Sequence, residues 1–142
     1  MKNAWTCLTI IGIYLGFSVI SPAQIPGKKE MAENQKKWGM PPAADAIKNP
    51  FINNAALTAS GKQTYITFCT SCHGDKGKGN GVAASALDTR PADHSAPGVQ
   101  LQSDGALFWK ITNGKSPMPS YKILLTDEQR WACINYIRTL AK

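Results

Sequence analysis

The sequence predicts a mainly α fold, and three features of it carry that prediction. Apolar residues recur at helical spacing in three stretches. The second and third stretches open on capping residues. No alternating strand pattern longer than a few residues occurs anywhere. The first stretch begins at Thr58, with Gly61, Tyr65 and Phe68 at i, i+4 and i+7 on one face. The second takes Ser103 as its N-cap and Asp104 in its first turn. It turns Leu107, Phe108 and Ile111 inward and ends near Asn113, where Gly114 stops it. The third opens with a capping box, Thr126 with Gln129, and runs to about Leu140 with Cys133, Tyr136, Ile137 and Leu140 on its inner face.

The chain has 142 residues, 16 Lys and Arg against 9 Asp and Glu, and a formal net charge of +7. Residues 1–23 read as a signal peptide. Lys2 precedes an apolar run from Leu8 to Ile20, and Ser21-Pro22-Ala23 puts small residues at the −3 and −1 positions of a cut after Ala23. The run is shorter than the ~20 residues of a membrane span, and Pro22 breaks it. The alternative is an uncleaved anchor extended by Trp5 and Tyr14. Cys7 lies in the run without a convincing lipobox before it. Cleavage leaves 119 residues, enough for one small domain, with 15 Lys and Arg against 9 acids and a net charge of +6. The expected location is periplasmic, with membrane association if the segment is retained.

Residues 24–57 hold several Lys, Pro41-Pro42, Asn49-Pro50 and no sustained apolar period. They are expected to form an irregular N-terminal arm, docking through Trp38, Met40, Phe51 and Ile52. Residues 58–142 are the folded domain. Cys69-Thr70-Ser71-Cys72-His73 within it is Cys-x-x-Cys-His, the attachment signature of a c-type haem. Two thiols at this spacing add to the two vinyl groups of one haem, and the adjacent imidazole falls on the iron. A thioredoxin-like pair shares the Cys-x-x-Cys spacing but needs a βαβ pattern, which is missing. Half a zinc site shares it too, and only His94 and Cys133 follow as further ligands. Cys133 lies in an apolar helical stretch and reads as a buried thiol. Asp75–Gly81 is rich in glycine but lacks the Gly-Lys-Ser/Thr of a phosphate loop, and reads as a loop rounding the haem edge. Val82–Leu87 suits a short helix, and Thr89–Gly98 a further loop containing proline.

Met118 is the one methionine after the haem motif, and Pro117 and Pro119 flank it. Each proline fixes φ and removes a donor, which stiffens a loop suited to holding a thioether against iron. His94, in a loop that reads as solvated, is the rival sixth ligand.

A helix ending in Cys-x-x-Cys-His, a middle helix, a Met-bearing loop and a C-terminal helix together resemble a class I monohaem cytochrome c over roughly residues 55–142. Leu107-Phe108-Trp109 with Asn113-Gly114-Lys115 is similar to the segment before the Met ligand in many bacterial members, and Trp131–Leu140 to their last helix. The resemblance implies three to five helices around one covalent haem c, with His73 and Met118 as axial ligands. It also implies that Gly61 faces the aromatic Tyr136 where first and last helices cross. In that family a proline carbonyl orients the proximal imidazole; Pro91 is the candidate, with Pro97 competing. His/Met ligation leaves iron no open position, so the expected function is one-electron transfer and not enzyme catalysis. The alternative is a fixed subunit of a membrane-bound respiratory or oxidoreductase complex. The expected partners are redox proteins with acidic docking surfaces, met by Lys76, Lys78, Lys115 and Lys122 at the haem edge. No basic stripe with interleaved aromatics points to nucleic acid.

Overall fold

A computed structural model describes residues 28–141, so the expected signal peptide at 1–23 lies outside the described residues. Among the described residues the chain forms six helical segments: α1 (Lys28–Trp38), α2 (Ala55–Phe68), α3 (Thr70–His73), α4 (Pro97–Gln100), α5 (Asp104–Asn113) and α6 (Asp127–Thr139). Two short 3-10 turns, Pro42–Ala46 and Ala84–Ala86, lie between them, and the one β-type pairing is the bridge between Lys115 and Met118.

The caps explain where the main helices start. Asn54 accepts the Leu57 amide at 2.9 Å to open α2, and Ser103 accepts the Ala106 amide at 3.0 Å to open α5. On α6 both halves of the expected capping box form. The Gln129 amide donates to Thr126 Oγ1 at 3.2 Å, and the Thr126 amide to Gln129 Oε1 at 2.9 Å.

α2 and α6 make the tightest crossing. Gly61 is buried, and a Cβ on it would press into the Ala132 carbonyl and the Cys133 amide. The sequence expectation set Tyr136 opposite Gly61; the contact instead falls one helical turn earlier on α6. Backbone can approach backbone only where both residues are small, and Ala132 meets that condition. Tyr136 packs on Tyr65, ring centroids 5.1 Å apart. Tyr65, Val99, Leu107, Trp131, Ile134 and Ile137 form the main core, with Phe108 stacked on Trp131 at 4.0 Å.

Residues 28–38 depart from the expected irregular arm. Lys, Glu, Met, Ala and Gln all favour helix, so α1 forms without the apolar stripe that betrays most helices in sequence. It stops at Gly39, whose φ of +65° lets its amide donate to Lys36 O and the Met40 amide to Gln35 O. The chain then docks on α5. Met40 and Ala44 bury against Ala106, with Trp38 and Trp109 alongside. Gln35 and Ser103 both donate to the Asp45 carboxylate. Of the expected docking points Ile52 is not one: it is 65% exposed.

Candidate functional site

The five-residue motif sits at a helix end. Cys69 closes α2 by donating its amide to Tyr65 O at 2.8 Å, and the single turn of α3 carries Cys72 and His73. No described cysteine is in a disulfide. Cys133, as expected, is a buried thiol, 1% exposed, directed at the Gly61 carbonyl. Its proximity and burial together push the Cys69 thiol above the ordinary thiol range.

His73 Nδ1 donates to the Ala92 carbonyl at 3.0 Å, which leaves the Nε2 lone pair free. The expected acceptors were Pro91 and Pro97. Ala92 takes the bond because the Pro91 carbonyl is turned toward Gly79, where a Cβ would strike it. Pro91 itself lines the cavity described below. Burial lowers the His73 pKa, so the ring is held neutral.

His94 is not in a solvated loop. Its ring is stacked on His73 with centroids 4.0 Å apart, and its Nδ1 lies 3.0 Å from the Tyr65 hydroxyl. Burial, reinforced by His73, takes its pKa down to about 3.

Met118 sits in a tight turn closed twice: the Lys115 amide donates to Met118 O at 2.9 Å and the Met118 amide to Lys115 O at 2.8 Å. Gly114, at φ +64°, lets the Pro119–Ser120 backbone pass against it. Ser120 Oγ then donates to Thr112 O at 2.6 Å, and the Tyr121 hydroxyl to Phe68 O at 2.8 Å. That last bond ties the Met loop to the end of α2.

Cys69, Cys72, His73 and Met118 all line one cavity of about 340 Å³. Leu107 and Ile111 of α5, Ile137 of α6 and Tyr121 and Leu125 beyond the Met loop give it apolar walls. Asn34, Lys37 and Trp38 add a wall from α1. The sequence reading found the thiols, the imidazole and the thioether. It missed α1, Gln102 and Lys110. The signal for Lys110 was present, since it lies three residues after Leu107 and one before Ile111, on the inner face of α5.

Of the four expected rim lysines, Lys76, Lys115 and Lys122 are exposed, and Lys115 also donates to the Lys37 carbonyl. Lys78 is half-buried, bonds Ser95 and pairs with Asp93 at 3.5 Å. Among the described residues no group of three or more His, Cys, Asp or Glu is arranged to hold a metal ion. Nor is any helix among them long and apolar enough to cross a membrane.

Residues 56–137 match the family described as cytochrome C oxidase, cbb3-type, subunit III. Cytochrome c6 of Rippkaea orientalis is 32% identical over 88 residues, covering 62% of this chain and 75% of that protein. A chain of the Kuenenia stuttgartiensis reducing HAO-like protein complex superposes with a TM-score of 0.60 at 26% identity over 68% of this chain. The match spans 50% of that chain's own length.

Proposed function

The chain belongs to the cytochrome c family, in the group described as cytochrome C oxidase, cbb3-type, subunit III, and from that premise we propose that Cys69 and Cys72 hold its haem c, with His73 and Met118 as axial ligands. It is a monohaem c-type cytochrome that transfers electrons. The observation that carries the site assignment is the shared cavity, into which two thiols, a neutral imidazole and a half-buried thioether all open. The donor set fits the group. The thiols are free of disulfides, and the nitrogen of His73 left without a hydrogen bond is the one available to iron.

When bound, haem c supplies a one-electron ferrous–ferric couple. The protein's own residues do the rest. Ala92 fixes the plane of the His73 ring. The doubly closed turn at 115–118 presents the Met118 sulfur, which favours the ferrous state and raises the potential. Apolar walls keep water from the site. Acid–acetone extraction followed by mass spectrometry tests the attachment: the haem stays on the polypeptide, and its release overturns the reading. A reduced-minus-oxidised spectrum tests ligation alongside.

Export by the 1–23 segment fits this chemistry, since c-type haem is attached outside the cytoplasm; residues 24–57 are then the arm and 58–142 the haem domain. Exposed Lys76 and Lys122 suit an acidic redox partner. A fixed-subunit role is the second reading. It is favoured by the subunit named in the family description and by the complex in which the structural relative was solved. Cell fractionation separates the two: a free carrier leaves with the soluble periplasm, and a subunit stays with the membranes.

A further inference from the structure

Among the described residues, four basic side chains line the cavity and no acidic one does: Lys37, Arg90, Lys110 and Lys115. Three of these are exposed. Lys110 is 6% exposed, on the inner face of α5. Its Nζ donates to Gln102 Oε1 at 2.6 Å and to Asn34 Oδ1 of α1, and lies 5.3 Å from the centre of the Trp38 ring. Both acceptors are neutral amides, and an ammonium has three donors. The third has no partner among the described residues. Asp45 is the acidic group whose charge reaches it, but the two form no ion pair, and burial brings the Lys110 pKa down to about 8. A buried cation without a counter-charge is costly, and natural proteins resolve the cost with an anion or by deprotonation. Here Asn34 and Gln102 hold the ammonium at the wall of a cavity that has no carboxylate among its described lining residues.

We propose that Lys110 binds a carboxylate of the haem, and that α1 positions it for that task through Asn34. The inference rests on the haem reading of the same cavity. Haem carries two carboxylates on flexible arms, so a cavity that takes it must answer two negative charges. Lys110 is the one cavity cation whose exposure to water cannot do this for it. The arrangement also gives α1 a role in the cofactor site, where the sequence suggested only an arm.

The test uses the wild-type holoprotein first. With the lysines labelled, NMR of the reduced protein gives an NOE between the Lys110 side chain and a haem propionate methylene. Absence of that NOE, in a protein whose haem is covalently attached, overturns the proposal and leaves the haem reading intact. Release of the haem on acid–acetone extraction overturns both. Variants test function by potentiometry and redox-difference infrared spectroscopy. Lys110→Gln and Lys110→Met lower the potential and shift a haem carboxylate band, Lys110→Arg restores both in part, and Lys36→Gln, at an exposed α1 position outside the cavity lining, moves neither. Equal shifts from Lys36→Gln and Lys110→Gln mean that only net charge matters, and overturn the proposal.

Discussion

His94 lies against His73 with the two rings 21° from parallel and their centroids 4.0 Å apart, while the Tyr65 hydroxyl holds His94 from the far side. Two imidazoles that share an iron must meet it end-on from opposite faces. Rings stacked side by side cannot do so, and this geometry favours Met118 over His94 as the partner of His73.

On the proposed ligation, Met118→Ala is expected to open the iron. The ferrous variant binds CO and its potential falls, because a thioether that favours the ferrous state is gone. His94→Ala leaves the iron six-coordinate and unreactive to CO. CO binding by the His94 variant and not the Met118 variant reverses the assignment.

Removing both attachment thiols, as Cys69→Ala with Cys72→Ala, leaves no covalent haem after denaturing extraction. With the haem in the proposed cavity as part of the core, the variant is also expected to lose most of its helical circular dichroism. A well-folded, haem-free double variant shows that the cofactor is not part of the core.

Gly61→Ala tests the helix crossing. The added methyl presses into the Ala132 carbonyl, which belongs to a capped helix and cannot retreat. Overpacking of this kind costs about 1–3 kcal/mol, read as a fall in melting temperature with an unchanged visible spectrum. Tyr136→Phe, which leaves the crossing untouched, changes stability far less.

Arg138 closes the other side of α6. Its Nε and Nη2 donate to Asp104 Oδ1 at 2.8 and 2.6 Å, and Nη1 and Nη2 to the Gln100 and Gln102 carbonyls at 2.9 and 2.6 Å. The fork binds the end of α4 to the start of α5. Arg138→Ala is expected to cost about 2 kcal/mol in urea unfolding, given ~1.5–3 for hydrogen bonds to charged groups. Arg138→Lys recovers the charge but not the fork, and stays below wild type.

Exposed Lys76 and Lys122 act on encounter. Exchanging both for Gln slows electron transfer to an acidic partner at low salt, and the deficit shrinks as screening shortens to ~8 Å at physiological ionic strength. Stability changes little. The control is Lys29 with Lys36 on α1. Equal slowing by both pairs indicates net charge alone, and greater slowing by the control moves the docking surface to the arm.

What was legible in the sequence was local. Thr126 and Gln129, Ser103 and Ala106, and Cys69 through His73 each act within one helical turn, so their spacing already contains their geometry. The place of Met118 in the cavity lining was legible because its flanking prolines are neighbours in sequence. The partner of Gly61 was not, since the register between α2 and α6 is set by which residues are small on both helices. Ala92 was missed by one residue because a loop's carbonyl directions depend on tertiary contact, here the packing of Pro91 over Gly79. The helix α1 was hidden by its polarity, although Gly39 followed by Pro41-Pro42 is a C-terminal signal with a physical cause.

That glycine has a practical side. Gly39 stands at φ +65°, and a Cβ added there would meet nothing within 4 Å. Ordinary residues rarely adopt this backbone angle, but a mirror-image one prefers it. A D-cysteine could be installed there by chemical ligation. It would carry a dye or spin label beside Trp38, on the wall of the cavity, and turn the end of α1 into a reporter on the cofactor's surroundings.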